Sequence, residues 1–454
     1  MVLLFALLTL PPATDWSPMR WFSPDPGHLS LLSGAPFNCL LVEEKHWSAA
    51  LVEAAHRDGR VMLAVIHPGR NTAEQASRAA SLNFDGIAAE GHFPATAIES
   101  IRQSAGARPV IEIVPRARLR FSGVPVVATY QGVWPGIAPE EESSAKAAPS
   151  GAPWIHTNTG FLRFVRAAAG DLPVWIANQP PSGQAITPQR YMQAYGDAAI
   201  AGARWVLALD EDLAEKLRAA DERAIAEWKQ IVRFAAWFEE HKEWRRLRPA
   251  GLLALIQDKG SGALFSGGIL DMIAVKHTPV RIVPATGLTI ERMQGAKMAV
   301  NVDPSSLTET QKEVLRAFTR SGGALLNGPP DWKFPPATSD QITLSEEDIK
   351  KLDEIWKEVN TLTGRRNLGV RLFNVSSMLS NLSTSPDGRQ TILHLLNYAE
   401  FPVESITAHV LGKFRSARLI TPEGLAQTLE TYEVEEGTGV DIPKVSVAAA
   451  VILE

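Results

Sequence analysis

The chain has 454 residues, room for roughly two to four domains at the usual 100–200 residues each, so a small stapled scaffold is excluded. Its hydrophobic share of 45% and charged share of 21%, with a mean hydropathy of −0.04, exclude a disordered or collagen-like chain. Lys and Arg number 45 against 50 Asp and Glu, a net charge of −5, with no basic stripe to neutralise a phosphate backbone, which argues against a nucleic-acid partner.

The apolar stretch VLLFALLTL (2–10) followed by PPAT has the length of a signal-peptide core but no Lys or Arg ahead of it. The reading is a secretory leader over 1–14, and hence a secreted or periplasmic protein. A packed N-terminal segment or a mis-assigned start, and then a cytoplasmic protein, is the alternative. No window of 18 apolar residues occurs, so no membrane span is expected.

From 15 to 245, short β-branched runs alternate with helical patterns, the signature of repeated βα units. Eight strands are predicted: MRWFS (19–23), FNCLLVE (37–43), RVMLAVIH (60–67), FDGIAAEG (84–91), PVIEIV (109–114), PVVATYQ (125–131), PVWIAN (173–178) and RWVLALDE (204–211). Eight units in about 225 residues fit a (β/α)8 TIM barrel. A doubly wound open sheet is the competing fold, but no GxGxxG or P-loop follows the first strands. Cys39, the lone cysteine, lies in an apolar run and reads as a core thiol. The longest connection, 132–160, is rich in Pro, Ala and Ser with three successive glutamates. It reads as a βα loop on the barrel's active face, closing over a ligand or simply inserted.

A long helical segment, EDLAEKLRAADERAIAEWKQIVRFAAWFEEHKEWRRLR, leads out of the barrel. A smaller flavodoxin-like α/β pattern with a linker helix, SEEDIKKLDEIWKEVN, occupies 246–368. From 369 to 454 the runs VRLFNV, RQTILHLLNY, SITAHVLG, ARLITP, TYEVEE and SVAAAVILE alternate with turn signals, as in a β-sandwich.

Barrel active sites form at the C-terminal ends of strands. The polar residues there are Glu43, Glu44, His67, Glu90, His92, Tyr130, Gln131, Asn178, Gln179, Asp210 and Glu211, with Glu112 inside the fifth strand. Glu112 should point into the barrel and find a partner there, because both faces of a parallel barrel strand are buried. Asp210 either faces Glu90 across the mouth or caps the following helix. Trp134 and Trp154 bracket the long loop, and a flat aromatic face there suits a sugar, with loop anchoring as the alternative for Trp134. His67, His92 and His156, with Asp210, raise a metal hydrolase, but no HExxH occurs and ligand-type spacing is missing, so no metal or cofactor is expected.

The order of barrel, α/β domain and sandwich resembles bacterial glycoside hydrolases with an amidotransferase-like domain after the barrel, of which β-galactosidases with a trimerisation domain are an example. The segments SLTETQKEVLRAFTRSGGALLNGPP (306–330) and RQTILHLLNYAEFPVESITAHVLGKFRSARLITPEG (389–424) carry the resemblance. FDGIAAEG resembles the fourth-strand segment of several retaining barrel glycosidases, in which a functional carboxylate follows the Asp by five residues; Glu90 holds that place after Asp85. The resemblance implies a glycosidase acting on a poly- or oligosaccharide through a carboxylate pair. Glu90 would be one member and Glu112 or Asp210 the other, with His67, His92, Tyr130, Gln131, Trp134, Asn178 and Gln179 in the sugar pocket. It also implies a homo-oligomer, a trimer. The chain departs from the β-galactosidase pattern, offering Ala89-Glu90 where those enzymes have Asn-Glu and Asn178-Gln179 where they have a Glu. A non-catalytic carbohydrate-binding or assembly protein on a degenerate barrel is therefore the alternative. No Cys follows residue 39, so the α/β domain lacks an amidotransferase nucleophile.

Overall fold

The computed structural model describes residues 11–135, 157–257, 278–301, 307–328, 369–375 and 378–454, with scattered positions between 304 and 367. The apolar N-terminal run, Trp154, His156, the glutamates of the long loop, the helix-like GILDMIAVKH and most of the linker helix fall outside them. The chain divides into two compact units. The first takes in Met1–Gln131, Asp171–Ala185 and Arg204–Ala226, and the second Gly132–Gly170, Ile186–Ala203 and Glu227–Glu454.

All eight predicted barrel strands are present in the first unit. They are β1 (Pro18–Trp21), β2 (Cys39–Val42), β3 (Val61–Ile66), β4 (Gly86–Glu90), β5 (Val110–Val114), β6 (Val127–Thr129), β7 (Val174–Ala177) and β8 (Arg204–Val206), hydrogen-bonded in sequence order and in parallel. The sheet closes on itself: Arg20 N donates to Leu207 O at 2.7 Å, and Met19 bridges Leu207. This is the (β/α)8 barrel. Its interior is filled by Trp16, Cys39, Leu41, Val61, Leu63, Val65, Ala88, Ile111, Ile113, Val126, Ala128, Trp175, Ala177 and Val206. Alternate residues of β2 to β8 contribute, as the pleat demands, with Trp16 coming from just ahead of β1.

Helices α1 (Ala49–Arg57), α2 (Thr72–Ser81) and α3 (Ala95–Ala105) follow β2, β3 and β4. Ser48 caps α1 by accepting from Leu51 N at 3.2 Å, satisfying one of the orphan donors of a first turn. Asp85 accepts from Met62 N at 2.7 Å and His56 Nε2 at 2.9 Å, tying the head of β4 to β3 and α1. Next to it, a Cβ at Gly86 would lie 2.8 Å from Pro109 O and 2.9 Å from Leu63 Cδ2, so only glycine fits where β4 starts.

Helices α4 (Thr159–Ala169) and α5 (Pro188–Ile200) belong to the second unit. The predicted long exit helix is two: α6 (Glu211–Arg218) and α7 (Glu222–Glu240). Between them Ala220 takes a left-handed conformation at φ 56° and Asp221 starts α7 by accepting from Ala224 N at 2.9 Å. Among the described residues, no helix is long and apolar enough to cross a membrane.

The rest of the second unit begins with β9 (Arg248–Pro249), β10 (Leu253–Gln257), β11 (Val280–Pro284), a helical turn α8 (Ile290–Met293), β12 (Met298–Asn301), α9 (Glu309–Arg320) and β13 (Ala324–Asn327). Strands β10 to β13 form a parallel sheet in the order β11-β10-β12-β13, the flavodoxin-like order. Strands β14 (Val370–Phe373), β15 (Met378–Thr384), β16 (Thr391–Asn397), β17 (Val403–Val410), β18 (Ala417–Ile420), β19 (Ala426–Leu429), β20 (Thr431–Val434), β21 (Gly437–Val445) and β22 (Ala448–Leu453) follow. They make sheets β14-β17-β21-β20 and β19-β18-β22-β16-β15-β9, which share one apolar core. Asp197 on α5 is fully buried and accepts from Asn158 N at 2.7 Å, Thr159 Oγ1 at 2.8 Å and Tyr398 Oη, joining α4, α5 and the segment after β16.

Candidate active site

The inward positions of the barrel strands can be continued by twos toward the C-terminal mouth. Cys39 and Leu41 on β2 lead to Glu43, Leu63 and Val65 on β3 lead to His67, and Ala88 on β4 leads to Glu90. Trp16 leads to Arg20 by way of Pro18, and Trp175 and Ala177 lead to Gln179. The apolar interior thus ends at the mouth in a charged layer.

These groups are bonded to one another. Arg20 Nη2 donates to Glu90 Oε1 at 2.5 Å, and Nη1 donates to Glu43 Oε1 at 3.3 Å. His67 Nε2 lies 2.9 Å from Glu43 Oε2. With its amide oxygen turned toward Arg20, Gln179 accepts from Nε and Nη1, both at 3.2 Å. Arg20 and Glu90 are buried, while His67 is exposed and Glu43 is intermediate. Glu90 Oε2 is buried and accepts no hydrogen bond from the described protein groups.

The electrostatics follow from this geometry. Burial pushes the Glu43 carboxyl up, but the hydrogen bond and charge of His67 and the charges of Arg20 and Lys45 more than offset it, and the group titrates below the usual value. The hydrogen bond to Glu43 raises His67 against the cost of burial, with the charges of Glu43 and Glu90 adding to the rise. Both shifts widen the pH range over which His67 is protonated beside ionised Glu43.

One ligand atom each from Glu43, His67 and Glu90 lie within 4.8 Å of one another. Those are donor types that a divalent cation accepts. Arg20, however, is already paired with both carboxylates, and a metal ion on all three would have to displace its guanidinium.

The predicted site residues are distributed more widely. Glu90, His67 and Gln179 meet in the cluster. Glu112 does not point into the barrel: Ile111 and Ile113 take the inward positions, and Glu112 faces outward, paired with Arg102 at 2.5 Å and with Arg120. The cations that compensate it come from α3 and the loop after β5, which the strand alone does not reveal. Asp210 is 4% exposed and caps α6, accepting from Leu213 N at 3.0 Å. His92 is exposed and lines a cavity beside α3. Tyr130 packs on the barrel interior, and Gln131 Oε1 accepts from Arg116 N at 2.7 Å. Asn178, half-buried, immediately follows β7. Trp134, expected to present a face to a sugar, is 3% exposed and sits edge-on to Tyr191 with centroids 5.5 Å apart. Cys39 is fully buried, and burial pushes its thiol well up.

Two members of the cluster are not singled out by sequence reasoning. Glu43 stands among the strand-tip residues, and its parity with Cys39 and Leu41 is the signal that marks it. Arg20 shows only as a cation inside a short apolar strand.

No protein-family model matches the chain, and neither does any curated protein. Solved structures do match over nearly the whole length. α-L-Fucosidase isoenzyme 2 from Paenibacillus thiaminolyticus is 11% identical, with a TM-score of 0.65 over 97% of this chain and 99% of that one. A catalytic mutant of Gan42B, a GH42 β-galactosidase from G. stearothermophilus, is 9% identical, with a TM-score of 0.59 over 97% and 98%. The cold-adapted β-galactosidase from Rahnella sp. R3 is 8% identical, with a TM-score of 0.57 over 98% and 99%. At these identities the likeness is one of fold.

Proposed function

We propose that the chain is a retaining glycoside hydrolase in which Glu90 is the nucleophile and Glu43, paired with His67, is the proton donor and acceptor. The observation that carries this reading is the pair itself: two carboxylates at a barrel mouth, each with an oxygen within 4.8 Å of the other group. Retaining glycosidases hold their carboxyls about 5–5.5 Å apart, whereas inverting enzymes leave about 6.5–9.5 Å for a water. That the fold neighbours are named as a fucosidase and β-galactosidases supports an O-glycosyl bond as the target.

The chemistry follows the two-step scheme. Arg20 pairs with Glu90 and fixes Oε1, leaving Oε2 to attack the anomeric carbon. The Oε2–C1 bond forms as the C1–O glycosidic bond breaks, and the proton held by Glu43 and His67 passes to the departing oxygen. A water then attacks C1, returns a proton to the pair and releases the Glu90 carboxylate. Gln179 steadies Arg20 from the end of β7.

The test is hydrolysis of a panel of aryl glycosides and polysaccharides by the wild-type protein, Glu90→Gln and Glu43→Gln. Turnover should vanish in Glu90→Gln and fall by about 10²–10⁴-fold in Glu43→Gln, with folding intact by circular dichroism. Equal turnover by all three proteins places the reaction elsewhere. The metal-hydrolase reading is separated by adding EDTA, which leaves the wild-type rate unchanged if Arg20 and His67, and not a metal ion, pair with the carboxylates. Binding without turnover by the wild-type protein favours the non-catalytic carbohydrate-binding reading.

A further inference from the structure

Beside α3, outside the wall formed by β4 and β5, lies a cavity of about 380 Å³, within the size range of small-ligand sites. Its lining includes Arg102, Arg118, Arg120, His92, Phe93 and Glu112. Three guanidinium groups line it with one carboxylate, and Glu99 on α3 pairs with Arg102 from outside the lining at 4.0 Å, so one positive charge is left over. Arg102 and Arg120 are held by Glu112, while the Arg118 side chain has no hydrogen-bond or ion-pair partner among the described residues. The cavity also reaches Ala95, the first residue of α3. That helix has no side-chain cap, so its first-turn N–H groups are not satisfied by one. A concave site with excess guanidinium charge, an uncapped helix start and an aromatic ring is chemistry for an anionic ligand with an apolar face.

We propose that this cavity binds the carboxylate or sulfate of an anionic sugar, as an accessory subsite whose lining starts at Gly91, the residue after Glu90. The anion rests on the cavity's own charges; the sugar rests on the glycosidase reading. Arg118, with Arg120, receives the anion, Phe93 offers a face to the ring, and Glu112 preorganises two of the arginines while opposing excess negative charge.

The experiment is calorimetric titration of the full chain with tetragalacturonate, with its methyl ester, which keeps the sugar and removes the charge, and with a sulfated tetrasaccharide. The acid or the sulfated sugar should bind, the ester should not, and affinity should fall with added salt. Arg118→Ala and Arg120→Ala should each weaken binding by at least about tenfold. Glu90→Gln should bind as the wild-type protein does. Equal binding of acid and ester, no binding of either anionic sugar, or indifference to the arginine substitutions overturns the proposal. Binding that persists in a protein without turnover upholds the subsite and sinks only the glycosidase reading. Turnover of neutral glycosides with no anion binding does the reverse.

Discussion

Arg20 is the residue on which the site's charge balance turns. It lies between Glu43 and Glu90, and without it the buried Glu90 would lose its ion-pair partner while Glu43 kept His67. Arg20→Met should destabilise the fold by about 3–5 kcal/mol, the cost of leaving a buried ion-pair partner uncompensated, as read by urea denaturation. It should also lower kcat by about 10²-fold or more, because Glu90 loses the donor that fixes Oε1. In the proposed mechanism the Glu43–His67 pair should set the alkaline limb of activity. His67 is raised by Glu43, so its proton is retained to higher pH, and activity should decline as pH rises through that raised value. In His67→Gln the proton must reside on Glu43 alone, so the alkaline limb of kcat/KM should move down in pH. An unmoved limb would show that the pair does not supply the proton. Glu90 is legible in the sequence as a strand-tip carboxylate, but its partner is not. A strand buried on both faces does not say which face a charged residue takes, and Glu112 turns outward because Arg102 and Arg120 wait there.

At the scale of elements, the eight barrel strands are readable because each is a short apolar run bounded by a helix or turn signal. The exit helix reads as continuous because EDLAEKLRAADERAIAEWK carries no Gly or Pro to mark a break. The break is made by Ala220 in the left-handed region and by the Asp221 cap. Ala220→Gly should therefore stabilise the protein by about 0.5–1 kcal/mol, since glycine takes that conformation without the Cβ penalty; a thermal melt reads the gain. Asp210 is decided by its place at the head of α6. As a cap, Asp210→Ala should cost about 1 kcal/mol of stability and leave kcat within error of the wild type, whereas a large loss of kcat with little change in stability would return it to the chemistry. In the sandwich, β15, β19 and β21 are not among the predicted runs. MLSNLST and GTGVDIPKV mix small, polar and turn-forming residues, and antiparallel partners on both sides, not local propensity, hold them extended.

For the whole molecule, the succession of barrel, flavodoxin-like sheet and sandwich is legible because each changes the period of hydrophobicity. The division into compact units is not, since α4 and α5 group with the C-terminal part of the chain. Side-chain bonds between residues far apart in the chain, such as those of Asp197 to Tyr398 and of Gln193 to Asn397 O at 3.1 Å, are invisible to periodicity. Asp197→Ala should cost about 3–5 kcal/mol because it strips acceptors from several buried donors at once; a urea midpoint close to wild type would mean that the network contributes little. The same long-range folding brings Arg20, Glu43, His67, Glu90 and Gln179 from five strands to one mouth, and the functional account rests on that convergence. Its central claim is double displacement through Glu90. The most direct measurement is mass-spectrometric peptide mapping after incubation with a panel of 2-deoxy-2-fluoro glycosyl fluorides, which trap a glycosyl-enzyme intermediate. The account predicts a glycosyl adduct on Glu90 that is absent in Glu90→Gln. An adduct on another residue, or turnover of the parent glycosides with inverted anomeric configuration and no adduct, would contradict it.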